Sequence, residues 1–404
     1  MIYLMFPAVE LIGSMAVTSV PVAEVFVEWP PRAFDNESHR NYSISSDLDA
    51  GAVVENGGGP PTQPLPLELF GVWYQGIHGY LSIVVCTFGI LSNLVNVAVL
   101  TRPHMFTPTN CLLTAIAVAD LMTMASYLPY AAYFYCYAVL DYDYGHPRGW
   151  IVYRIFHNNF TITSHTAAMW LTVSLAVFRY VTVCRHAASP RLCNLRRAKL
   201  TVVAVFAATG VFCVPIYVTY RAVRMPDTAP DVGHYWIEYT SFVTSLHIAI
   251  NYWLYGVVLK VAPCVLLTLL SLLLISAMRT ASRNRLRLRR TSITQKSTER
   301  DSEHNRTTAM LVAVVLFFVA TELPQGVITL LSGIDERIFE GVYVPLGDVW
   351  DILVLVNSAV NFVLYCTMSR QYRETFSEIF FTRTVAGGRH VRRQSYYSVR
   401  MSAL

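Results

Sequence analysis

Seven stretches of this chain are apolar for about the length a helix needs to cross a bilayer: approximately Gly76 to Leu100, Thr109 to Tyr137, Ile151 to Cys184, Leu200 to Tyr220, Asn251 to Met278, Ala309 to Ser332 and Pro345 to Met368. A hydrocarbon core about 30 Å thick takes roughly 20 helical residues, and no backbone N–H or C=O can go unpaired inside it. Repeated runs of this length leave one class, an all-α integral membrane protein built as a seven-transmembrane helix bundle. The make-up of the chain agrees, with 54% hydrophobic and 14% charged residues and a mean hydropathy of +0.42, outside the range of soluble domains. The third and fourth spans are the least marked. The third opens on His157, Asn158 and Asn159, and the fourth is short and holds Pro215.

Orientation follows from Lys and Arg, which stay on the cytoplasmic side during insertion. Between spans three and four stand Arg185, Arg191, Arg196, Arg197 and Lys199. Between spans five and six stand Arg279, Arg283, Arg285, Arg287, Arg289, Arg290, Lys296, Arg300 and Arg306. The opposite loops carry Asp141, Asp143, Asp227, Asp231, Glu238, Asp335, Glu336 and Glu340. With seven spans this puts the N-terminus outside and the C-terminus inside, in the plasma membrane.

Residues 1–73, rich in Pro, Gly, Ser and acids, read as an extracellular disordered tail. Asn36 and Asn41 there fit the N-glycosylation pattern, whereas the matches at Asn159 and Asn305 fall in a span and in a cytoplasmic loop. Residues 1–23 have the apolar character of a signal peptide, without a basic leading segment and with Glu10 inside. Residues 74–381 make the bundle and residues 382–404 a cytoplasmic tail. The eight cysteines show no CxxC pair and no metal-ligand spacing.

Charges inside a membrane helix are costly, so each is a functional candidate. Asp120, Arg179, Lys260 and Glu322 are such residues. The plainer reading is that they pair with one another and hold the bundle together.

Their sequence context resembles the rhodopsin-like G-protein-coupled receptors, span by span. Gly89 and Asn93 have the family's GxxxN spacing in span one, and Ile116 to Asp120 resembles LAxxD in span two. Phe178, Arg179 and Tyr180 stand where the family has Asp-Arg-Tyr. Pro263 and Pro324 match the prolines of spans five and six, and Asn361 to Tyr365 resembles Asn-Pro-x-x-Tyr with Phe362 in place of the proline. Arg370 to Phe380 is similar to the short amphipathic cytoplasmic helix that follows span seven. The strings from Ile77 to Cys86, Trp170 to Val177, Thr321 to Gly326 and Met368 to Phe376 resemble the arthropod myosuppressin receptors and related sex peptide and FMRFamide-type receptors.

That resemblance implies a receptor for an amidated neuropeptide ending in Arg-Phe-amide, working through a heterotrimeric G protein of the inhibitory type, with arrestin and receptor kinases as further partners. It implies an activation switch of Phe178, Arg179, Tyr180, Phe318, Pro324, Asn361 and Tyr365. The family's acid beside the arginine is here Phe178, so restraint on Arg179 has to come from elsewhere, with Glu299, Asp301 and Glu303 as candidates. Asp120, Asn357, Ser358 and Asn361 match the positions that hold a sodium ion or a water cluster, although the serine that span three usually adds is Ala168. No other cofactor is expected. Glu322, two residues before Pro324, replaces a tryptophan of the class, and meets the cationic arginine of a peptide, pairs with Lys260, or is simply protonated. Depth in the membrane adds His157, Asn158, Thr161 and His165, Asn251, Tyr252 and Tyr255, and Asp348, Trp350 and Asp351 to the ligand-binding candidates.

No cysteine is available to tie the top of span three to the second outer loop, so no disulfide is expected and that loop is expected to be held more loosely than in relatives. Arg289 to Ile293 suits a basic-directed kinase, Arg287 to Arg290 an anionic lipid surface, and the ending Ser402 to Leu404 a PDZ domain. Other classes lack their signatures. Span seven has no Schiff-base lysine for retinal, no inverted repeat suggests a transporter, no paired nucleophile and base suggests an enzyme, and nothing points to nucleic acid. Within the class, a receptor for another peptide, or one whose ligand has diverged with the loss of the disulfide, stays open.

Overall fold

The computed structural model describes residues 66–138, 146–184, 189–225, 234–289, 317, 319–332 and 335–381. Six helices in it are long and apolar enough to cross a membrane. We label the helices α1 (Pro66–Leu100), α2 (Pro108–Ala131, continued by a π-helical turn at Ala132–Tyr137), α3 (Arg148–Cys184) and α4 (Leu195–Tyr217). Then come α5 (Ser245–Trp253, a π-helical stretch Leu254–Val261, and Ala262–Arg289), α6 (319–332), α7 (Gly347–Met368) and α8 (Arg370–Phe380). The start of the sixth span, including Phe318, lies outside the described residues, as do Asn36, Asn41, residues 1–23, Asn305 and the tail from residue 382.

Helix starts are set by local chemistry. Thr107, Asn194, Thr244 and Ser369 each accept a hydrogen bond from the backbone N–H three residues on, which satisfies an orphan donor of the first turn. Several ends differ from the hydropathy reading. α1 begins at Pro66 instead of Gly76, because Tyr74 and its neighbours pack on α2 and α7, and Gly71 approaches the Pro345 backbone closely enough that a Cβ would lie 2.9 Å from its oxygen. α4 stops at Tyr217 because Tyr220 enters a strand. α5 starts at the Thr244 cap and runs past Met278 to Arg289. Its π-helical turns end just before Pro263, which has no N–H to offer the preceding turn.

α3 is the central helix, packed on α2, α4 and α5, while α1 is held between α2 and α7. Gly89 is the point of closest approach there, since a Cβ on it would overlap the Met124 thioether and sit 3.3 Å from Ala359. Asn93 Nδ2 donates to Gly89 O at 2.9 Å and to Ser358 O at 3.0 Å, pinning α1 to α7. Leu200, Val203, Val211 and Phe212 of α4 face outward and exposed, the arrangement lipid as solvent favours.

Two apolar clusters close the ends of the bundle. One joins Leu112, Leu171, Leu175, Tyr365 and Tyr372, and the other Tyr74, Met124, Tyr127, Tyr130, Phe134 and Leu355. At the second end lies a small antiparallel sheet, β1 (His146–Pro147), β2 (Tyr220–Arg224) and β3 (His234–Tyr239), in the order β1-β3-β2. We call this the hairpin end and the opposite one the basic end.

Candidate functional site

All eight cysteines are free thiols, yet the hairpin is tied to α3. β1 immediately precedes α3 and pairs with β3, His146 opposite Tyr235 and Pro147 opposite His234, and the Arg148 guanidinium lies 6.0 Å from the Tyr235 ring centroid. The expectation of a loosely held loop is corrected accordingly, because backbone pairing supplies what a disulfide would. Across β2 and β3, Tyr220 stacks on Tyr239 at 5.2 Å. Burial raises the Tyr239 hydroxyl to about 12, so both tyrosines stay neutral donors.

Beneath the hairpin end, α1, α2, α3 and α7 bring tyrosines, histidines and two acids together. His78, wholly buried, bonds Tyr127 Oη at 2.9 Å and Ser82 Oγ at 3.2 Å. Tyr127 donates to Asp351 Oδ2 at 3.3 Å, and Tyr135 to Asp348 Oδ1 at 2.7 Å. His157 Nδ1 bonds Ser126 Oγ at 2.8 Å and Thr161 Oγ1 at 3.2 Å, and its ring stacks on Tyr130 at 4.3 Å. Of the expected ligand contacts, His157 and Thr161 are therefore engaged with each other and with α2.

Asn251 is spent on Thr219 and His247, donating to Thr219 Oγ1 at 2.9 Å, and Tyr255 packs among Ile162, Cys213, Ile216 and Leu259. Both pack toward the α3 and α4 side, with the Tyr255 hydroxyl still within electrostatic reach of Asp351. Asn158 is 3% exposed, and neither end of its amide has a hydrogen-bond partner among the described residues. Trp350 is buried against Phe339 and Tyr343.

One layer deeper stands a charged triad. Lys260, in the π-helical stretch of α5, places Nζ 2.5 Å from Glu322 Oε2, and His165 Nε2 of α3 lies 3.3 Å from Glu322 Oε1. Glu322 is wholly buried and Lys260 is 3% exposed. The structure thus favours the pair over a ligand contact, with each carboxylate oxygen facing a nitrogen. A buried charge survives only with such company.

His165 also lines a cavity of about 20 Å³ formed with Asp120, Ala168, Thr172, Asn357 and Asn361. That is room for one water-sized body. Asn361 Nδ2 donates to Asp120 Oδ2 at 3.0 Å, and the Ser358 side chain also bonds Asp120. Carboxylate, amide and hydroxyl oxygens are the donors a hard cation takes, so the residues present fit a sodium ion or a water, with Ala168 adding only a methyl group.

At the basic end, Phe178 packs into the apolar cluster of α1, α2, α3, α4 and α7. Arg179 beside it has its Nε buried without a hydrogen-bond partner, and no acid pairs with its guanidinium among the described residues. Tyr180 is half-buried. Glu299, Asp301 and Glu303 lie outside the described residues. Pro324 faces outward from α6. α7 continues unbroken past Phe362, whose ring meets Tyr372 at 6.4 Å and Phe376 at 6.0 Å. Tyr372 Oη donates to Asn96 Oδ1 at 2.7 Å. Burial pushes this hydroxyl's pKa up, which keeps it a donor.

Sequence reasoning missed His78, Tyr127, Tyr135 and Asn96. A signal existed for the first of these, since Tyr74, His78 and Ser82 form a polar stripe at i, i+4 spacing in an apolar span.

These polar groups, stacked along a helical bundle from the hairpin to Arg179, define a multi-pass membrane receptor of the seven-helix class. The chain belongs to the serpentine type 7TM GPCR chemoreceptor Srw family, whose model matches residues 80–383. It is a G-protein-coupled receptor and not an enzyme. It is similar to the G-protein coupled receptor dmsr-1 of Caenorhabditis elegans, 31% identical over 353 residues that cover 76% of this chain and 69% of that one. It is also similar to the sex peptide receptor of Drosophila melanogaster, 31% identical over 80% of this chain and 75% of the relative. To the FMRFamide receptor of the same fly it is 27% identical, over 77% of this chain and 55% of the relative.

Proposed function

We propose that this chain is a plasma-membrane receptor for a short amidated neuropeptide ending in Arg-Phe-amide, of the myosuppressin or FMRFamide kind. Its N-terminus lies outside, its C-terminus inside, and binding is passed to an inhibitory heterotrimeric G protein. The single observation that carries the ligand class is similarity across the whole bundle to receptors named for a sex peptide and for FMRFamide. The orientation rests on Arg196, Arg197 and Lys199 at the start of α4 and Arg279 in α5, all on the side of Arg179.

In this reading the peptide enters under the hairpin. The triad of α3, α5 and α6 repacks, and Arg179, which pairs with no acid among the described residues, meets the G protein from the basic end. Expressing the chain and screening amidated peptides for suppression of cyclic AMP tests this. No response to any Arg-Phe-amide peptide sinks the ligand assignment.

The Asp120 cavity takes a sodium ion or one water. Replacing sodium by a larger organic cation shifts agonist affinity in the first case and leaves it unchanged in the second. Glycans at Asn36 and Asn41, a basic-directed kinase at Arg289 to Ile293, arrestin as a further partner, and a PDZ domain at Ser402 to Leu404 complete the proposal; of these residues only Arg289, at the end of α5, is described. The family's description as chemoreceptors favours a second reading, a receptor for a different ligand, which the same screen separates when extended to peptides without that ending.

A further inference from the structure

Three acids stand in the hairpin half of the bundle interior, and their surroundings differ. Glu322 has Lys260 on one carboxylate oxygen and His165 near the other. Asp348 and Asp351 of α7 have only tyrosine hydroxyls, at 2.7 Å and 3.3 Å, and no lysine or arginine pairs with either among the described residues. Two carboxylates three residues apart share one helix face. Half-buried together, with no counter-charge among the described residues, they are costly, which a structural role alone does not explain.

The neighbours of this face are also incompletely satisfied. Tyr74 is 8% exposed and His78 0%, yet Tyr74 Oη and His78 Nδ1 have no hydrogen-bond partner among the described residues. Both side chains lie within electrostatic reach of both carboxylates. Aromatic walls surround them, with His78 4.7 Å from the Tyr135 ring and 5.6 Å from that of Tyr74. Each carboxylate accepts one hydrogen bond from a tyrosine and has lone pairs left for more. Paired acids between aromatic faces match a planar, delocalised cation with several donors better than a compact one.

We infer that Asp348 and Asp351 form the subsite for a guanidinium group of the ligand, and that Glu322, already paired with Lys260, does not receive it. The inference rests on the peptide reading above and names which acids serve it.

The test uses the full chain and an active Arg-Phe-amide peptide beside its citrulline analogue, a neutral near-isostere of arginine. On the unaltered receptor the citrulline peptide loses about 10- to 100-fold in potency, the worth of a charge-assisted contact. On the Asp348→Asn/Asp351→Asn variant that difference collapses, while on Glu322→Gln it persists. A difference that survives the double variant, or disappears in Glu322→Gln, overturns the subsite.

A second measurement needs no ligand. The thermal midpoint of the solubilised, ligand-free receptor should hold or rise in Asp348→Asn/Asp351→Asn and fall in Glu322→Gln. A fall in the double variant as large as in Glu322→Gln means that the acids are already satisfied within the protein, and sinks the subsite whatever the ligand. A rise with no active Arg-Phe-amide peptide supports a cation subsite and removes only the peptide assignment.

Discussion

Removing one partner of the Lys260 and Glu322 pair should cost far more than removing both. At 2.5 Å, with side chains 4% and 0% exposed, this is not a screened surface pair. With an effective dielectric of about 20, two unit charges at that separation attract by roughly 6 to 7 kcal/mol. Taking both ions out of water costs several kcal/mol each, so the intact pair comes out near zero. Lys260→Met, however, leaves Glu322 wholly buried with only His165 beside it, and a buried pair broken on one side typically costs about 3 to 5 kcal/mol. The same holds for Glu322→Gln against Lys260. In Lys260→Met/Glu322→Gln no charge is stranded, and the loss should be about 1 to 2 kcal/mol, that of an imperfectly packed polar group. Thermal unfolding of the solubilised receptor, with surface expression of a tagged chain alongside, measures the cycle. Strict additivity of the two single losses in the double variant would refute the reasoning, since contacting residues couple by 0.5 to 3 kcal/mol or so.

Three further outcomes follow from the same geometry. Phe178→Asp supplies the acid that Arg179 lacks and should lower agonist-free suppression of cyclic AMP; equal or greater agonist-free signalling counts against a weakened restraint. Because the hairpin is held by β1 and all eight cysteines are free, a thiol reductant should leave agonist potency unchanged, and a loss of about tenfold, 1.4 kcal/mol, would contradict this. Tyr372→Phe removes the donor to buried Asn96, so α8 should dock more weakly and stability fall by about 1 to 3 kcal/mol; an unchanged midpoint shows that water replaces the hydroxyl.

Legibility in the sequence divided along physical lines. Span number and the rhodopsin-like motifs were readable because the bilayer imposes a length and a hydropathy on every crossing helix. Span ends were read less well wherever polar residues continue a helix beyond the apolar run, as at Pro66 and Ser245, or where pairing cuts one short, as at Tyr220. The site was legible as a set of costly residues and not as a set of partnerships. Glu322, Lys260 and His165 were each singled out, but the choice between a ligand contact and an internal pair depends on distances across three helices. His78, Tyr127 and Tyr135 escaped because a single histidine or tyrosine in a span has no motif to announce it.

The chain by itself thus determined a seven-helix membrane receptor, since hydrophobic length and the absence of water leave few other ways to satisfy the backbone. It also determined that Arg179 has no acid before it. Tertiary structure decided which charges are answered and which are not. Glu322 is paired because a π-helical turn ahead of Pro263 brings Lys260 onto it, while Asp348 and Asp351 accept from tyrosines and pair with no lysine or arginine among the described residues. Charge balance in a low-dielectric interior is set by contacts of a few ångströms between residues as much as 62 or 224 positions apart, and no local pattern encodes that.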